Sequence, residues 1–507
     1  MMTIFGNATT ISAGEPMLPG ATFLNPLSFQ GTDSSVQSRW MPRTSGDEAS
    51  PQVWRILEGV IDQGPDQFHN QYGVPSPGGA LQGIPLTTGV LGGLSMLPAI
   101  VPSVSIAQRY DTNVFNTPRI AGLERDDFVT TLSPQVALIP HTGGLVRGSL
   151  QLGGIAEYYA KHPQLNYIGG NVGGFLDLTR LVQQAVPRMT LLVSDSFTYT
   201  PQPPAFLAGG AVNAAGDPAD QDPASAFARG LQIQRVNTIT NSASVVSTYA
   251  VTPALSLYMN ATHAFQRYGA TPGAPAMASL VSTDSRSFSA GPQISLSPNE
   301  TIRILLTHNR TDFLSGQISE FPPYFETNGG LIAYRRPLFT PAVIGFVSAS
   351  VQEVIPSHSL QYTGNASITW TRFPDMISLS YSRQVSPNFL AVGAPVTTDL
   401  VSLGVTRTLG PRLSASVAAN YARSQSIGAA LPEGVPNAPP EFSFDSYLAS
   451  ASFIYRAAPG FLISGNYLYS FFQSKGLTPA GGVIGVTGEQ ITFDRHMILL
   501  QLQKVWF

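Results

Sequence analysis

The chain has 507 residues, a net charge of −3 and a charged fraction of only 11%, against about 25% in ordinary soluble domains. Cysteine is absent, which excludes disulfide staples, thiolate metal sites and a cysteine nucleophile. The charge balance gives no nucleic-acid surface, and no run of about 18 apolar residues offers a transmembrane helix.

Residues 1–100 are rich in Pro, Gly, Ser and Gln and show no sustained alternation. Within them Pro51–Asp62 predicts a short helix with Trp54, Ile56, Leu57 and Val60 on one side. The stretch 76–103 reads as a Gly/Pro/Leu-rich linker. This extension is expected to be periplasmic, either disordered or folded as a plug. The opening MMTIFGNATTISAG carries no basic n-region and no apolar h-region. Export therefore expects a leader already removed, or a start different from this one.

From residue 101 to 507, polar and apolar residues alternate in eighteen runs, the first near 102–115 and the last near 490–506. Among them are 144–160, 165–182 and 186–200. In 358–372, Leu360, Tyr362, Ala366, Ile368 and Trp370 share one phase; Gln361, Thr363, Asn365, Ser367 and Thr369 share the other. In 376–382, Ile377, Leu379 and Tyr381 oppose Ser378, Ser380 and Ser382. The polar phase is small and neutral, where a soluble sandwich usually carries Lys and Glu. Apolar sets are assigned to lipid, because a hydroxyl row facing lipid would be poorly solvated. Tyr421, Tyr455 and Tyr469 lie near run ends, as in interfacial girdles.

The connections set the topology. Tight turns at VTPA (251–254), SPNE (297–300), FTPA (339–342), FPDM (373–376), LGPR (409–412) and AAPG (457–460) alternate with long loops such as 201–231, 424–442 and 474–489. Two connections on the long-loop side, 161–164 and 355–357, are short. Short turns at one end and long loops at the other predict an all-β fold: a transmembrane antiparallel up-and-down β-barrel of about 18 strands in a bacterial outer membrane. Sixteen strands is the alternative if two weak runs of the first half are not real. An even count puts both termini on the periplasmic side. Loop 201–231 is expected to be able to fold inward as a constriction.

The segment AQRYDTNVF (107–115) followed by RDDFVTTLSPQVAL (125–138) resembles the opening hairpin of the bacterial outer-membrane barrels grouped as beta-barrel porin 2. The stretches 378–389, 399–426 and 444–470 resemble that family's repeating hairpins. The resemblance spans roughly 101–507 and rests on low-complexity motifs. It implies the barrel fold and not a substrate. The last residue, Phe507, fits the terminal aromatic read by barrel assembly machinery. Val505 shares its phase, but Gln501 and Gln503 do not fit, and Ile498, Leu500 and Leu502 lie on the other phase. A bulge near Lys504 would reconcile them.

No enzyme motif is present: there is no HExxH, P-loop or GxSxG. The seven histidines have no ligand spacing, and neither metal nor cofactor is expected. The informative residues are ionisable or polar groups on the polar phase: Arg109, Asp111, Asn113, Arg147, Glu157, Asp177, Arg188 and Arg303. Charge at membrane depth must face water or a partner, so these are read as lumen-facing, as constriction residues or as salt-bridged filler. Asp111 and Asn113 with Glu124, Asp126 and Asp127 lack the regular oxygen spacing of a calcium loop.

The function expected is passive diffusion of small solutes or ions through a porin-like channel. The alternatives are a non-transporting structural or surface-interaction barrel and a conduit for polysaccharide export. Expected partners are outer-membrane lipid, the assembly machinery and the solute; a homo-oligomer stays open.

Overall fold

A computed structural model describes residues 99–114, 124–139, 145–202, 236–268, 282–297, 299–314, 324–340, 342–355, 358–372, 374–386, 396–426, 443–475, 478–480, 483–485 and 490–506. The proposed helix 51–62, the linker up to residue 98, nearly all of loop 201–231 and Phe507 lie outside these residues.

The strands are β1 (Ala99–Asp111), β2 (Asp127–Ile139), β3 (Arg147–Tyr159), β4 (Tyr167–Asp177), β5 (Met189–Gln202), β6 (Val236–Ala250), β7 (Leu255–Tyr268), β8 (Thr283–Ser297), β9 (Glu300–Phe313) and β10 (Tyr324–Pro337). They continue as β11 (Val343–Ile355), β12 (Ser359–Arg372), β13 (Asp375–Ser386), β14 (Val396–Thr408), β15 (Leu413–Ser426), β16 (Ser443–Ala458), β17 (Phe461–Lys475) and β20 (Gln490–Val505). These form one 18-stranded sheet. Each strand pairs antiparallel with the next, and β20 pairs with β1, so the barrel is closed. The sixteen-strand alternative is excluded. A small hairpin, β18 (Thr478–Ala480) and β19 (Val483–Gly485), stands within the last long connection.

Exposure separates the two faces. Ile168 (72%), Leu306 (75%), Leu360 (64%) and Ile498 (56%) are open on one phase. Their strand neighbours Tyr167, Leu305 and Leu499 are buried on the other. A monomer in water rarely shows so continuous an apolar surface; in a bilayer it is the lipid face. The opposite phase is hydroxyl-rich, with large apolar side chains such as Phe444, Phe472 and Phe493 among them. Some of its hydroxyls pair across strands, as in Ser194–Ser244 (2.6 Å), Thr398–Ser424 (2.8 Å), Ser416–Ser452 (2.6 Å) and Ser285–Thr311 (3.0 Å). A closed barrel with an apolar exterior places the chain in an outer membrane.

Strands of 11 to 16 residues meet or exceed the roughly 9–11 needed to cross a bilayer. The excess lies at the long-loop end, where the outer phase turns polar. There Asp284 meets His263 and Arg267, Arg310 meets Asp312, and Arg383 meets Asp399. At the other end most described turns are tight, and Gly460 at φ 67° occupies a left-handed position that only glycine adopts freely.

Three expectations are corrected. The run 165–182 is strand only over Tyr167–Asp177, and a helical turn at Thr179–Gln183 follows. Asp177 Oδ1 accepts from the Thr179 N–H at 2.9 Å, and Thr179 Oγ1 accepts from the Leu191 N–H at 3.2 Å. These local bonds turn the chain out of the ladder, so this connection is not a tight turn. Arg188, read as part of a strand, is exposed in the turn before β5 at φ 70°. It belongs to the segment that follows the helical turn, and the Leu191 N–H is the one held by Thr179. No bulge interrupts β20 near Lys504. Ile498, Leu500 and Leu502 simply face lipid while Gln501, Gln503 and Val505 face inward and are buried.

Candidate channel lining

The inner phase carries two groups of charge at opposite ends of the wall. The first lies at the long-loop end, on β1, β3 and β20. Register places Arg109 and Asp111 on the inner phase of β1, and Glu157 with Tyr159 on that of β3. Arg109 donates to both Glu157 oxygens at 3.5 and 3.4 Å and to Tyr159 Oη at 3.4 Å. Tyr159 donates in turn to Glu157 at 3.0 Å, and Thr131 adds a bond at 3.3 Å. Arg495 of β20 donates from Nε to Asp111 Oδ1 at 2.9 Å and from its terminal nitrogen to Asp111 Oδ2. All four charged groups are buried.

This network sits on the seam where the first strand meets the last. The Thr112 N–H donates to the His496 carbonyl at 3.0 Å, and the His496 N–H donates to Thr112 Oγ1 at 2.9 Å. Asn113 N–H caps Asp111 Oδ1 at 3.0 Å, and the Asn113 amide reaches the Asp494 carbonyl at 3.4 Å. Sequence reading brought Arg109, Asp111, Asn113 and Glu157 to attention but missed Arg495 and Tyr159.

Beside the network, Asp127 holds the β3–β4 connection. Its carboxylate accepts from the Lys161 and His162 N–H groups at 2.9 Å each and lies 2.8 Å from His162 Nδ1. On the outside, Lys161 grips Glu124 at 2.6 Å and Asp126 at 2.8 Å. The hydrogen bond from Lys161 holds Asp126 below the usual carboxylate range. The bonds it donates to Asp126 and Glu124 hold the lysine above its own. The acidic stretch is thus a loop staple. Among the described residues no group of three or more His, Asp or Glu is placed to hold a metal.

The second group lies at the tight-turn end. Arg147 at the start of β3 stands directly opposite Asp177 at the end of β4. Arg303 on β9 and Arg335 on β10 share the inner phase, with Arg303 opposite Ala333 and Arg335 opposite Thr301. Arg456 faces inward near the end of β16. The Arg303 guanidinium lies 4.6 Å from the centroid of the Tyr258 ring, and its Nε donates to Gln293 Oε1 at 3.1 Å. Leu192, Val246, Tyr258 and Leu305 form a buried apolar patch of the inner wall beneath it. Opposite in character, Phe175 on the inner phase of β4 is 42% exposed.

Arg147, Asp177 and Arg303 therefore stand apart from the seam cluster, and Arg188 stands outside the ladder. Arg335 and Arg456 carry the same alternation signal as Arg303 and were readable by it.

No protein-family model matches the chain, and no curated protein matches it. The chain is similar at low identity to several solved structures. OpdQ of Pseudomonas aeruginosa shares 9% identity at a TM-score of 0.40, covering 81% of this chain and 98% of that one. Pseudomonas aeruginosa OpdO shares 9% at 0.42, covering 82% and 100%. The siderophore receptor PirA of the same species shares 8% at 0.39, covering 81% and 80%. Likeness this remote carries no argument about function; the barrel rests on the chain's own strand pairing.

Proposed function

We propose that this chain is a passive outer-membrane channel for small solutes or ions, with its long loops outside and both termini in the periplasm. The observation that carries the reading is the inner wall. It is rich in small neutral hydroxyls, with arginines in excess of carboxylates at the tight-turn end, a surface that suits water better than a packed core does. Eighteen strands are of the size that encloses an aqueous lumen in porins. The hairpins that resemble the beta-barrel porin 2 group support the same reading. The orientation is supported by the tight turns, which share one end with Ala99 and Val505. Its role is non-enzymatic, with lipid and the assembly machinery as partners.

A second reading, a barrel whose interior is filled, is favoured by two buried apolar clusters on the inner wall, Leu192, Val246, Tyr258 and Leu305 and Ala107, Leu448, Leu468, Met497 and Leu499. Planar-bilayer recording separates the two. Stable ohmic steps from heat-modifiable, folded protein are expected of a channel. Folded protein that inserts and never conducts would overturn the channel and leave the filled barrel.

A further inference from the structure

We infer that the tight-turn mouth of the barrel is an anion-attracting collar built around Arg303 and Arg335, and that small anions are the solutes it favours. This rests on the channel reading above and deepens it.

Among the described strand residues, inward charge is sorted by height. At the tight-turn end, Arg147, Arg303, Arg335 and Arg456 face a single inward carboxylate, Asp177. At the long-loop end, Arg109 and Arg495 are outnumbered by Asp111, Asp127 and Glu157. The inner wall from β5 to β17 holds no carboxylate at all among its described strand residues; every acidic residue there sits on the outer phase. The field along the lumen therefore has a positive end.

Arg303 is held as a binding group would be. Its ring partner and its Gln293 bond are both uncharged, so they fix the guanidinium without cancelling its charge. Arg335 is its diagonal neighbour on the next strand, two positions away in register, which sets the two residues about 7–8 Å apart, their Cβ atoms somewhat closer. Two guanidinium groups at that spacing match a carboxylate, a phosphate or a hydrated chloride between them. A low-dielectric wall focuses such a field and concentrates the counter-ion.

The test is reversal potential in a potassium chloride gradient across a planar bilayer, on full-length protein. Wild type is expected to favour chloride over potassium and to give an asymmetric current–voltage curve. The pair Arg303→Glu with Arg335→Glu is expected to lower the anion preference several-fold and flatten the asymmetry, while Arg303→Lys with Arg335→Lys keeps both. Folding is checked by heat-modifiable migration. Should the glutamate pair fail to fold, Arg303→Gln with Arg335→Gln reads the same quantity. Conducting protein with no anion preference, or a preference untouched by the glutamate pair and by the glutamine pair, overturns the collar and leaves the channel standing. Folded protein with no conductance overturns both.

Discussion

Arg109 and Arg303 project from barrel strands toward the same interior, yet their surroundings differ in kind. Arg109 is buried against Glu157 and Asp111, whose carboxylates are shared with Tyr159 and Arg495. Arg303 rests on a tyrosine ring and a glutamine amide. The first arrangement neutralises charge and fastens the barrel; the second fixes charge and leaves it to act. The difference teaches that an inward arginine is not by itself a solute contact, and that its partners decide.

Removing one partner separates the two regions most strongly. Asp111→Ala strips Arg495 of its carboxylate and weakens the hold on Arg109 at the closing seam. Breaking a buried pair from one side costs about 3–5 kcal/mol. Arg303→Ala removes one cation–π contact and one neutral-partner hydrogen bond, about 1–2 kcal/mol. Urea midpoints read by heat-modifiable migration should rank them in that order. Equal losses would erase the distinction between seam and collar.

A lipid-side comparison comes next. Leu306 is 75% exposed on the outer phase of β9, and Thr307, the next residue, faces inward opposite Ser289. Leu306→Arg is expected to cost about 2–4 kcal/mol at bilayer depth. Thr307→Arg is expected to leave the urea midpoint close to wild type, because a lumen arginine can reach water. A larger penalty at Thr307 than at Leu306 would invert the assignment of faces on which the collar depends.

Within the seam, Tyr159→Phe sharpens the first comparison. It removes the bond to Glu157 at 3.0 Å and the acceptor of the Arg109 bond at 3.4 Å while keeping the ring, and is expected to lower stability by about 1–2 kcal/mol. Anion preference should not move. A changed reversal potential would show that the seam cluster also faces the permeating ion.

Much of this was legible because the strand period is two. Alternation alone put Leu360 and Tyr362 on lipid and Ser378 and Ser380 inside, and the turn rhythm gave eighteen strands in one closed sheet. It assigned Arg109, Asp111 and Glu157 to one phase. It could not say that Arg495 completes the group, because closure joins residues 384 apart in sequence and alternation carries phase without pairing. Arg188 was misread for the opposite reason. The local motif Asp177-Leu178-Thr179 starts a helical turn, and a two-residue period cannot register an interruption that small. The Asx bond that the Thr179 N–H donates to Asp177 was the signal available.

The smallest effect expected is at the outer staple. Asp126 is held below the usual carboxylate range, chiefly by its hydrogen bond from Lys161. A depressed carboxylate gives stability that is present above its unfolded pKa, about 3.9, and is lost as pH falls through the lower folded value. Lys161 is raised, so its share is present below the ordinary lysine pKa and lost as pH rises through the folded one. The link from Lys161 to Glu124 and Asp126 should thus hold through the neutral range and loosen in acid. Both ends are solvent-facing, so the effect is local, with protease cleavage near Glu124–Asp126 and Lys161 rising in acid and the urea midpoint nearly unchanged. Lys161→Met should give the acid cleavage pattern at neutral pH. If that variant instead lowered the midpoint as much as Asp111→Ala, the outer staple would belong to the barrel seam, and buried and exposed ion pairs would not be doing different jobs here.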